Sequence, residues 1–153
     1  IEFSYLRYIY QSNNINIHKK MNGYYIIDPK GDLELNIHDE FKSLLSENNT
    51  IQWNGIMKEI PNEMHFFNQL NNSYNKVFLY IGHNGGEQYI SLNKLKKYNT
   101  SNKIILLMGC SSGLLKSHGI YYPNGISNSY IISNSSIIVA NLWDVTGKDI
   151  DNF

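Results

Sequence analysis

Residues 103–113 read KIILLMGCSSG, and they indicate both the predicted fold and the position of its reactive residue. Five apolar residues run without a break from Ile104 to Met108 and stop at Gly109 and Cys110. An apolar run this short, ended by glycine and small hydroxyl residues, predicts a strand that is buried on both faces of a sheet. Cys110 then follows the carboxyl end of that strand, where open α/β sheets place their ligands and their chemistry.

Cys110 is the only cysteine of the chain, so it cannot form an internal disulfide. A lone cysteine is most often a small buried hydrophobic residue. The glycines on either side, Gly109 and Gly113, open the backbone around the sulfur, which a packing role does not require. The residues around Cys110 therefore leave two roles open, a reactive thiol and a buried side chain.

A second strand of the buried type lies upstream at Val77–Ile81, and His83 follows it after one glycine. A single histidine beside an apolar run is usually structural. Two strands that end alike, one in Gly-His and one in Gly-Cys, favour a shared site. Neighbouring strands lie about 4.8 Å apart, so the imidazole and the thiol would face each other across one cleft. This is the Cys–His arrangement of nucleophilic catalysis.

The composition fits one soluble domain, because 42% of the 153 residues are hydrophobic, 17% are charged and the formal net charge is zero. Zero net charge gives no indication of binding to nucleic acid or to an acidic membrane surface. A single cysteine provides no disulfide framework, which indicates a reducing, intracellular compartment. The chain stops at Phe153 within what reads as a starting helix, so we expect it to be an excised segment of a longer protein.

The rest of the pattern predicts strands alternating with helices, and hence a mostly parallel sheet. Two further strands are predicted at Tyr24–Ile27, which the turn residues Gly31 and Asp32 follow, and at Ile137–Trp143, which reads as buried. The predicted helices are Ile1–Tyr10, Leu35–Leu45, a segment with Pro61 in its first turn, Glu87–Leu95, Ile126–Ile132 and one capped by Thr146. Loops are predicted at Gln11–Asn22 and Trp53–Gly55.

Three blocks of the sequence, Gly82–Tyr89, Leu107–Gly113 and Ala140–Thr146, closely resemble the separase protease domain in the same order. The resemblance implies an α/β, caspase-like three-layer fold with a mostly parallel central sheet flanked by helices. It covers residues 23–153, which would form the protease domain, truncated at its C-terminal end. Residues 1–22 would be an N-terminal helix and a polar loop leading into that domain.

Separases are caspase-like cysteine endopeptidases that cleave the kleisin subunit of cohesin after an arginine and so release sister chromatids at anaphase. The resemblance implies that His83 and Cys110 are the catalytic dyad and that no cofactor is used. It also implies a kleisin substrate, a securin-like inhibitor and chaperone, and a location in nucleus and cytoplasm. The family usually has glycine after the histidine, whereas this chain has Asn84, a residue type that tolerates positive φ.

The oxyanion of a peptidase reaction needs backbone donors, and we expect them from the N–H groups of Cys110 and of the loop at Asn84 and Gly85. The remaining histidines, His18, His38, His65 and His118, share no metal-ligand spacing. One cysteine cannot build a structural zinc site either, so no metal is expected.

Recognition of a substrate arginine needs a carboxylate, because an unpaired buried guanidinium is very costly. Asp149 stands three residues after Thr146, at the position of a capping-box acid, so we expect it to cap the last helix. Asp151 is the favoured carboxylate for the arginine, and Asp144 is the next candidate. Trp143 would either form an apolar wall of this pocket or pack in the core.

The sequence is therefore compatible with three functions. The first is a separase-type endopeptidase that acts on a kleisin, and the second is another caspase-like peptidase with a different substrate. The third belongs to a different class, an inactive module that binds a partner through the same cleft.

Overall fold

In a computed structural model, the central element of the chain is a five-stranded parallel sheet. The structure describes residues 20–33, 39, 41–43, 50–100, 102–119 and 121–145. In chain order the elements are β1 (Met21–Ile27), β2 (Ile51–Met57), α1 (Glu63–Asn71), β3 (Asn75–Ile81), α2 (Leu92–Leu95), β4 (Ile104–Leu107), β5 (Lys116–His118), β6 (Tyr121–Asn124), α3 (Ile126–Ile132) and β7 (Ile137–Ala140). The sheet has the order β2-β1-β3-β4-β7, and β5 and β6 form a separate antiparallel pair.

One face of the sheet carries the main core. Side chains alternate between the two faces of a strand, so every second residue of β3 and β4 points to the same side. The buried residues that meet there come from the strands, from α1, α2 and α3 and from the segment before α2: Tyr24, Ile26, Phe66, Phe67, Leu70, Phe78, Tyr80, Ile90, Leu95, Ile105, Leu107, Ile126 and Tyr130. Phe78 is fully buried among them, with its ring centroid 5.2 Å from that of Phe66 and 6.3 Å from that of Tyr24.

The opposite face is covered by the segment that follows β1. Ile27, Leu79 and Ile81 are buried there, and Leu33 and Phe41 pack against them. Residues 39 and 41–43 are helical. The sheet thus lies between helical residues on both faces, which confirms the predicted α/β three-layer class.

Lys103 anchors the start of β4 to the turn that precedes β3. Its side chain is fully buried, and Nζ donates to the carbonyl oxygens of Asn72 at 2.6 Å and Asn75 at 2.7 Å. Burial lowers the pKa of Lys103 to about 8. These two hydrogen bonds tie β4 to its neighbour β3 at the end of the sheet opposite to His83 and Cys110.

Most predicted elements are confirmed, with shifted ends. The two central strands and the helix Ile126–Ile132 are present, and Tyr130 is fully buried as expected. The helix predicted at Glu87–Leu95 is restricted to α2, and Pro61 lies before the cap residue Asn62 rather than in the first turn of α1. The helix predicted at Leu35–Leu45 is described only at residues 39 and 41–43, which are helical. The helices predicted at Ile1–Tyr10 and after Thr146 lie outside the described residues.

The loop predicted at Trp53–Gly55 is wrong, because these residues lie inside β2. Gly55 pairs with Tyr25, and a Cβ at this position would overlap the backbone oxygen and the ring of Tyr25. Glycine is therefore used here for close packing rather than for a turn. The loop predicted at Gln11–Asn22 is also wrong for its last two residues, which begin β1.

The prediction of a buried last strand is wrong as well. β7 is an edge strand of the described sheet and ends at Ala140, before the predicted end at Trp143. Ile137 and Val139 are 46% and 45% exposed. β4 itself is fully buried only on the face that carries Ile105 and Leu107, and its other face is partly covered. None of the helices in the described ranges is long and apolar enough to span a membrane.

A substitution in the main core tests this packing. Phe78→Ala leaves a cavity between the sheet and α1, so we expect the free energy of opening of β3 to fall by about 3–5 kcal/mol. Amide hydrogen exchange of β3 in the full-length protein measures this free energy. Met64→Ala, at a side chain on α1 that is 65% exposed, is the control and should change it by less than about 0.5 kcal/mol. Equal effects of the two substitutions would contradict the assignment of the core.

Candidate active site

The pairing of β3 with β4 sets His83 and Cys110 at the same level of the sheet. Tyr80 pairs with Leu107, and the N–H of Met108 donates to the carbonyl oxygen of Tyr80 at 2.9 Å. His83 follows Tyr80 by three residues, and Cys110 follows Leu107 by three residues. The prediction that these two strands are neighbours with their carboxyl ends side by side is confirmed.

The loop after β3, which carries His83, and the loop after β4, which carries Cys110, touch at Gly109. A Cβ on Gly109 would overlap the carbonyl oxygens of Gly82 and Asn84, the two residues that flank His83. Only a residue without a side chain lets the backbones approach this closely. The residue before Cys110 therefore lies directly against the loop that carries His83.

The loop that follows β3, residues 82–88, is called the histidine loop. Side chains hold it in place by donating hydrogen bonds to its backbone. The carbonyl oxygen of His83 accepts from the hydroxyl of Tyr80 at 3.0 Å and from Nε2 of Gln88 at 3.1 Å. Burial raises the pKa of Tyr80, which keeps this hydroxyl protonated. Asn84 has a φ of 52°, which is the left-handed conformation that asparagine tolerates better than most residues. Sequence reasoning missed Tyr80 and Gln88 because both lie within segments read as plain strand and helix.

Cys110 lies in a tight turn that the segment after β7 supports. Its side chain is partly exposed, and Sγ donates to the carbonyl oxygen of Val145 at 3.1 Å. Ser111 has a φ of 51°, and its N–H donates to the carbonyl oxygen of Trp143 at 2.9 Å. A left-handed, non-glycine residue next to a reactive group is the kind of strain that concentrates at functional sites.

One of the three expected oxyanion donors, the N–H of Gly85, already has a hydrogen-bond partner. The N–H of Gly85 donates to Oε2 of Glu87 at 2.8 Å, so this donor is satisfied within its own loop. The N–H groups of Asn84 and Cys110 stay the predicted donors. A cavity of about 220 Å³ opens beside this loop, and Asn84, Glu87 and Ser111 contribute to its lining.

Of the three predicted carboxylates, the structure describes only Asp144. This side chain is exposed, and its Oδ1 accepts a hydrogen bond from Oγ of Ser111 at 2.7 Å, which places it next to the cysteine turn. Asp149 and Asp151 lie outside the described residues. Trp143 is 77% exposed, so the core-packing alternative for this residue is wrong.

Of the four histidines outside the histidine loop, the structure describes the side chain of His65. His65 accepts or donates a hydrogen bond with the hydroxyl of Tyr24 at 2.6 Å, which is a structural contact. Burial raises the pKa of Tyr24 to about 12. Within the described ranges, no group of three or more histidine, cysteine or acidic side chains is arranged to hold a metal ion.

Sequence reasoning also missed Asp32. Oδ1 of Asp32 lies 3.0 Å from Nε2 of His83, and both side chains are about half exposed. In the sequence Asp32 reads only as a turn residue after β1. Its contact with His83 becomes visible only when the sheet order is known.

Fold and site together define a class of α/β domain in which a histidine and a cysteine follow adjacent strands at the same end of a parallel sheet. Residues 3–150 match the family model of the separin protease domain. The chain is 40% identical to the separin of Emericella nidulans over 134 residues, 37% to that of Saccharomyces cerevisiae over 131 and 39% to that of Schizosaccharomyces pombe over 135. These alignments cover 88%, 84% and 88% of this chain.

Solved structures agree with this match. A crystal structure of the Saccharomyces cerevisiae separase–securin complex aligns with a TM-score of 0.73 at 32% identity, over 87% of this chain and 9% of that chain. A second crystal structure of that complex gives a TM-score of 0.70 at 33% identity over the same shares. The chain therefore belongs to the separin protease-domain family. It spans 6% to 8% of the length of the three fungal relatives.

The contact at Gly109 can be tested directly. Gly109→Ala forces the two loops apart, so we expect His83 to give less stabilisation to a thiolate at Cys110. Because the thiolate is the nucleophile, alkylation of Cys110 by iodoacetamide should slow by about tenfold at neutral pH. Mass spectrometry of the Cys110 peptide from the full-length protein measures this rate. In Gly113→Ala the new Cβ would lie 3.2 Å from Cβ of Ala140 and 3.2 Å from the carbonyl oxygen of Asn141, which are tight contacts without overlap, and the rate should stay within about twofold. Equal rates in the two variants would contradict the role of Gly109.

Proposed function

We propose that this chain is the catalytic part of a separase-type cysteine endopeptidase, with Cys110 as the nucleophile and His83 as the general acid and base. The observation that carries the proposal is the matched position of the two residues beyond paired strands, with Gly109 packed against the residues that flank His83. Membership of a family whose description is a protease domain supports the same activity.

The chemistry follows from these two side chains. The thiol proton of Cys110 passes to His83, and Sγ attacks the carbonyl carbon of the scissile bond. His83 then gives the proton to the leaving amine as the C–N bond breaks, which leaves a thioester on Cys110. A water that loses its proton to His83 attacks the thioester, and the proton returns to the sulfur as the new carboxyl terminus departs.

Two local features bear on this reaction. A thiolate cannot donate a hydrogen bond, so activation of Cys110 releases it from the carbonyl oxygen of Val145. The negative charge of the tetrahedral intermediate would be held by the N–H groups of Cys110 and Asn84. With the N–H of Gly85 bound to Glu87, these are the two donors of the original three on which the proposal rests.

The proposed substrate is the kleisin subunit of cohesin, cut after an arginine. Asp151 is the proposed partner of that arginine, and Asp144 is the next candidate. The position of Asp144 beside Ser111 supports a carboxylate near the cysteine turn. A carboxylate that accepts one hydroxyl keeps further lone pairs for a guanidinium.

The proposed partner is a securin-like inhibitor, because the similar solved structures are separase–securin complexes. The biological role would then be release of sister chromatids during chromosome segregation, in nucleus and cytoplasm. Two alternatives differ from it in one measurement each. Another caspase-like peptidase would cleave peptides but not a kleisin, and an inactive binding module would cleave neither.

The dyad is tested by substitution in the full-length protein. Cys110→Ser and His83→Ala should each lower kcat/KM for an arginine-containing kleisin fragment by at least about a thousandfold, because each removes a group that acts in bond making or proton transfer. Circular dichroism should be unchanged. Activity close to wild type in either variant, with the fold intact, would rule out the dyad.

The arginine pocket is tested by comparing two neighbouring acids. Asp151→Asn removes the charge but keeps the size of the side chain, and kcat/KM for arginine substrates should fall by about 30-fold to several thousandfold. Asp149→Asn should cost about 1 kcal/mol of helix stability and leave the arginine preference unchanged. Melting temperature and kcat/KM of both variants separate the roles. A reversed result exchanges the two assignments, and if neither variant alters the preference, Asp144 becomes the remaining candidate.

A further inference from the structure

The carboxyl ends of β1 and β3 form the crevice of this sheet. From β1 the chain adds β2 on one side and β3 on the other, so the strand order reverses between β1 and β3. In open α/β sheets, ligands bind in the crevice at such a reversal. The N–H of Asp28 donates to the carbonyl oxygen of Ile81 at 2.8 Å, which ties the two strand ends together. His83 lies on one side of this crevice and Asp32 on the other.

The turn after β1 fixes the backbone of Asp32. Oδ1 of the buried Asp28 accepts hydrogen bonds from the N–H groups of Asp32 at 3.0 Å and Leu33 at 3.2 Å. The N–H of Gly31 donates to the carbonyl oxygen of Asp28 at 3.0 Å, and the φ of Gly31 is 71°. Leu33, the next residue after Asp32, packs against Ile27, Leu79 and Ile81 on the face of the sheet opposite to the main core. The carboxylate of Asp32 is therefore presented by a turn that is held at both ends.

The contact with Asp32 decides which nitrogen of His83 carries a proton. An ionised carboxylate only accepts hydrogen bonds, so Nε2 of His83 is the donor across the 3.0 Å separation. In a neutral imidazole the other nitrogen, Nδ1, is then the acceptor. Among the residues that the structure describes, Asp32 is the carboxylate in contact with the ring of this histidine.

We infer that Asp32 is a positioning residue of the proposed Cys–His dyad, and the inference rests on that proposed function. Its carboxylate holds His83 as the Nε2–H tautomer, so that Nδ1 is the nitrogen left to accept the proton of Cys110. When that proton moves from Sγ to Nδ1, the imidazolium and the thiolate form, and Asp32 stabilises the imidazolium while its own proton count stays unchanged. The proton on Nδ1 later goes to the leaving amine. This is the orienting role that a third group plays beside a catalytic base.

The expected effect is moderate. The side chains of His83 and Asp32 are 48% and 49% exposed, so water screens part of their attraction. Loss of the carboxylate should therefore lower kcat by about 10- to 100-fold, which is less than the loss expected for either member of the dyad. KM should stay within about twofold, since Asp32 is not placed in the substrate pocket.

The first experiment measures kcat and KM of the full-length protein on an arginine-containing fluorogenic peptide. The variants are Asp32→Ala, Asp32→Asn and Asp32→Glu, and the control is Glu59→Gln, an exposed acid after β2 at the same edge of the sheet. Asp32→Ala should show the loss in kcat, Asp32→Glu should recover part of it, and the control should match wild type. Asp32→Asn keeps the size of the side chain. If Asp32→Ala lowers the melting temperature, the loss in kcat is judged from Asp32→Asn instead.

The second experiment separates positioning from a structural role of the turn. Iodoacetamide alkylation of Cys110 should slow in Asp32→Ala by about fivefold or more, but Asp32→Ala should cause no further slowing in the His83→Ala background. Independent effects in the double variant would overturn the inference. Wild-type kcat in both Asp32→Ala and Asp32→Asn, with His83→Ala inactive, would overturn it and leave the dyad intact. Full activity of His83→Ala would overturn the proposed function and the inference with it.

Discussion

The parallel pairing of β3 with β4 is the constraint on which the site depends. It sets Tyr80 opposite Leu107. His83 and Cys110 each follow these paired residues by three positions, so both lie at the same level of the sheet. A shift of one residue would turn every side chain of the moved strand to the other face of the sheet and bury the wrong set. The fully buried side chains of Phe78, Ile105 and Leu107 thus secure the register, and through the register the position of the reactive groups.

The loops that follow β3 and β4 bring the reactive side chains together. Gly109 lets the cysteine turn approach the histidine loop, and Tyr80 and Gln88 hold the carbonyl oxygen of His83. On the far side, Asp28 holds the turn that brings Asp32 to the imidazole. The proposed chemistry therefore depends on hydrogen bonds to the backbone at the strand ends, whereas the buried part of the sheet is mainly apolar.

Much of this arrangement could be predicted from the sequence because the apolar runs before Gly82 and Gly109 are short, unbroken and similarly ended. The strand at Trp53–Gly55 could not, since its glycine serves a close contact with Tyr25 that a local pattern does not show. The exposure of Val139 depends on an edge position in the sheet. Asp32 was missed for a related reason, because its partner is 51 residues away and lies on another strand end.

We propose that Cys110, His83 and Asp32 form one reactive unit. A crystal structure of the full-length protein, trapped with a peptidyl-arginine acyloxymethyl ketone, would show whether they do. We expect a covalent bond to Sγ of Cys110, with Nδ1 of His83 within hydrogen-bonding reach of the adduct and Nε2 bound to Asp32. An adduct on another residue, or an imidazole turned away from the sulfur, would overturn this proposal.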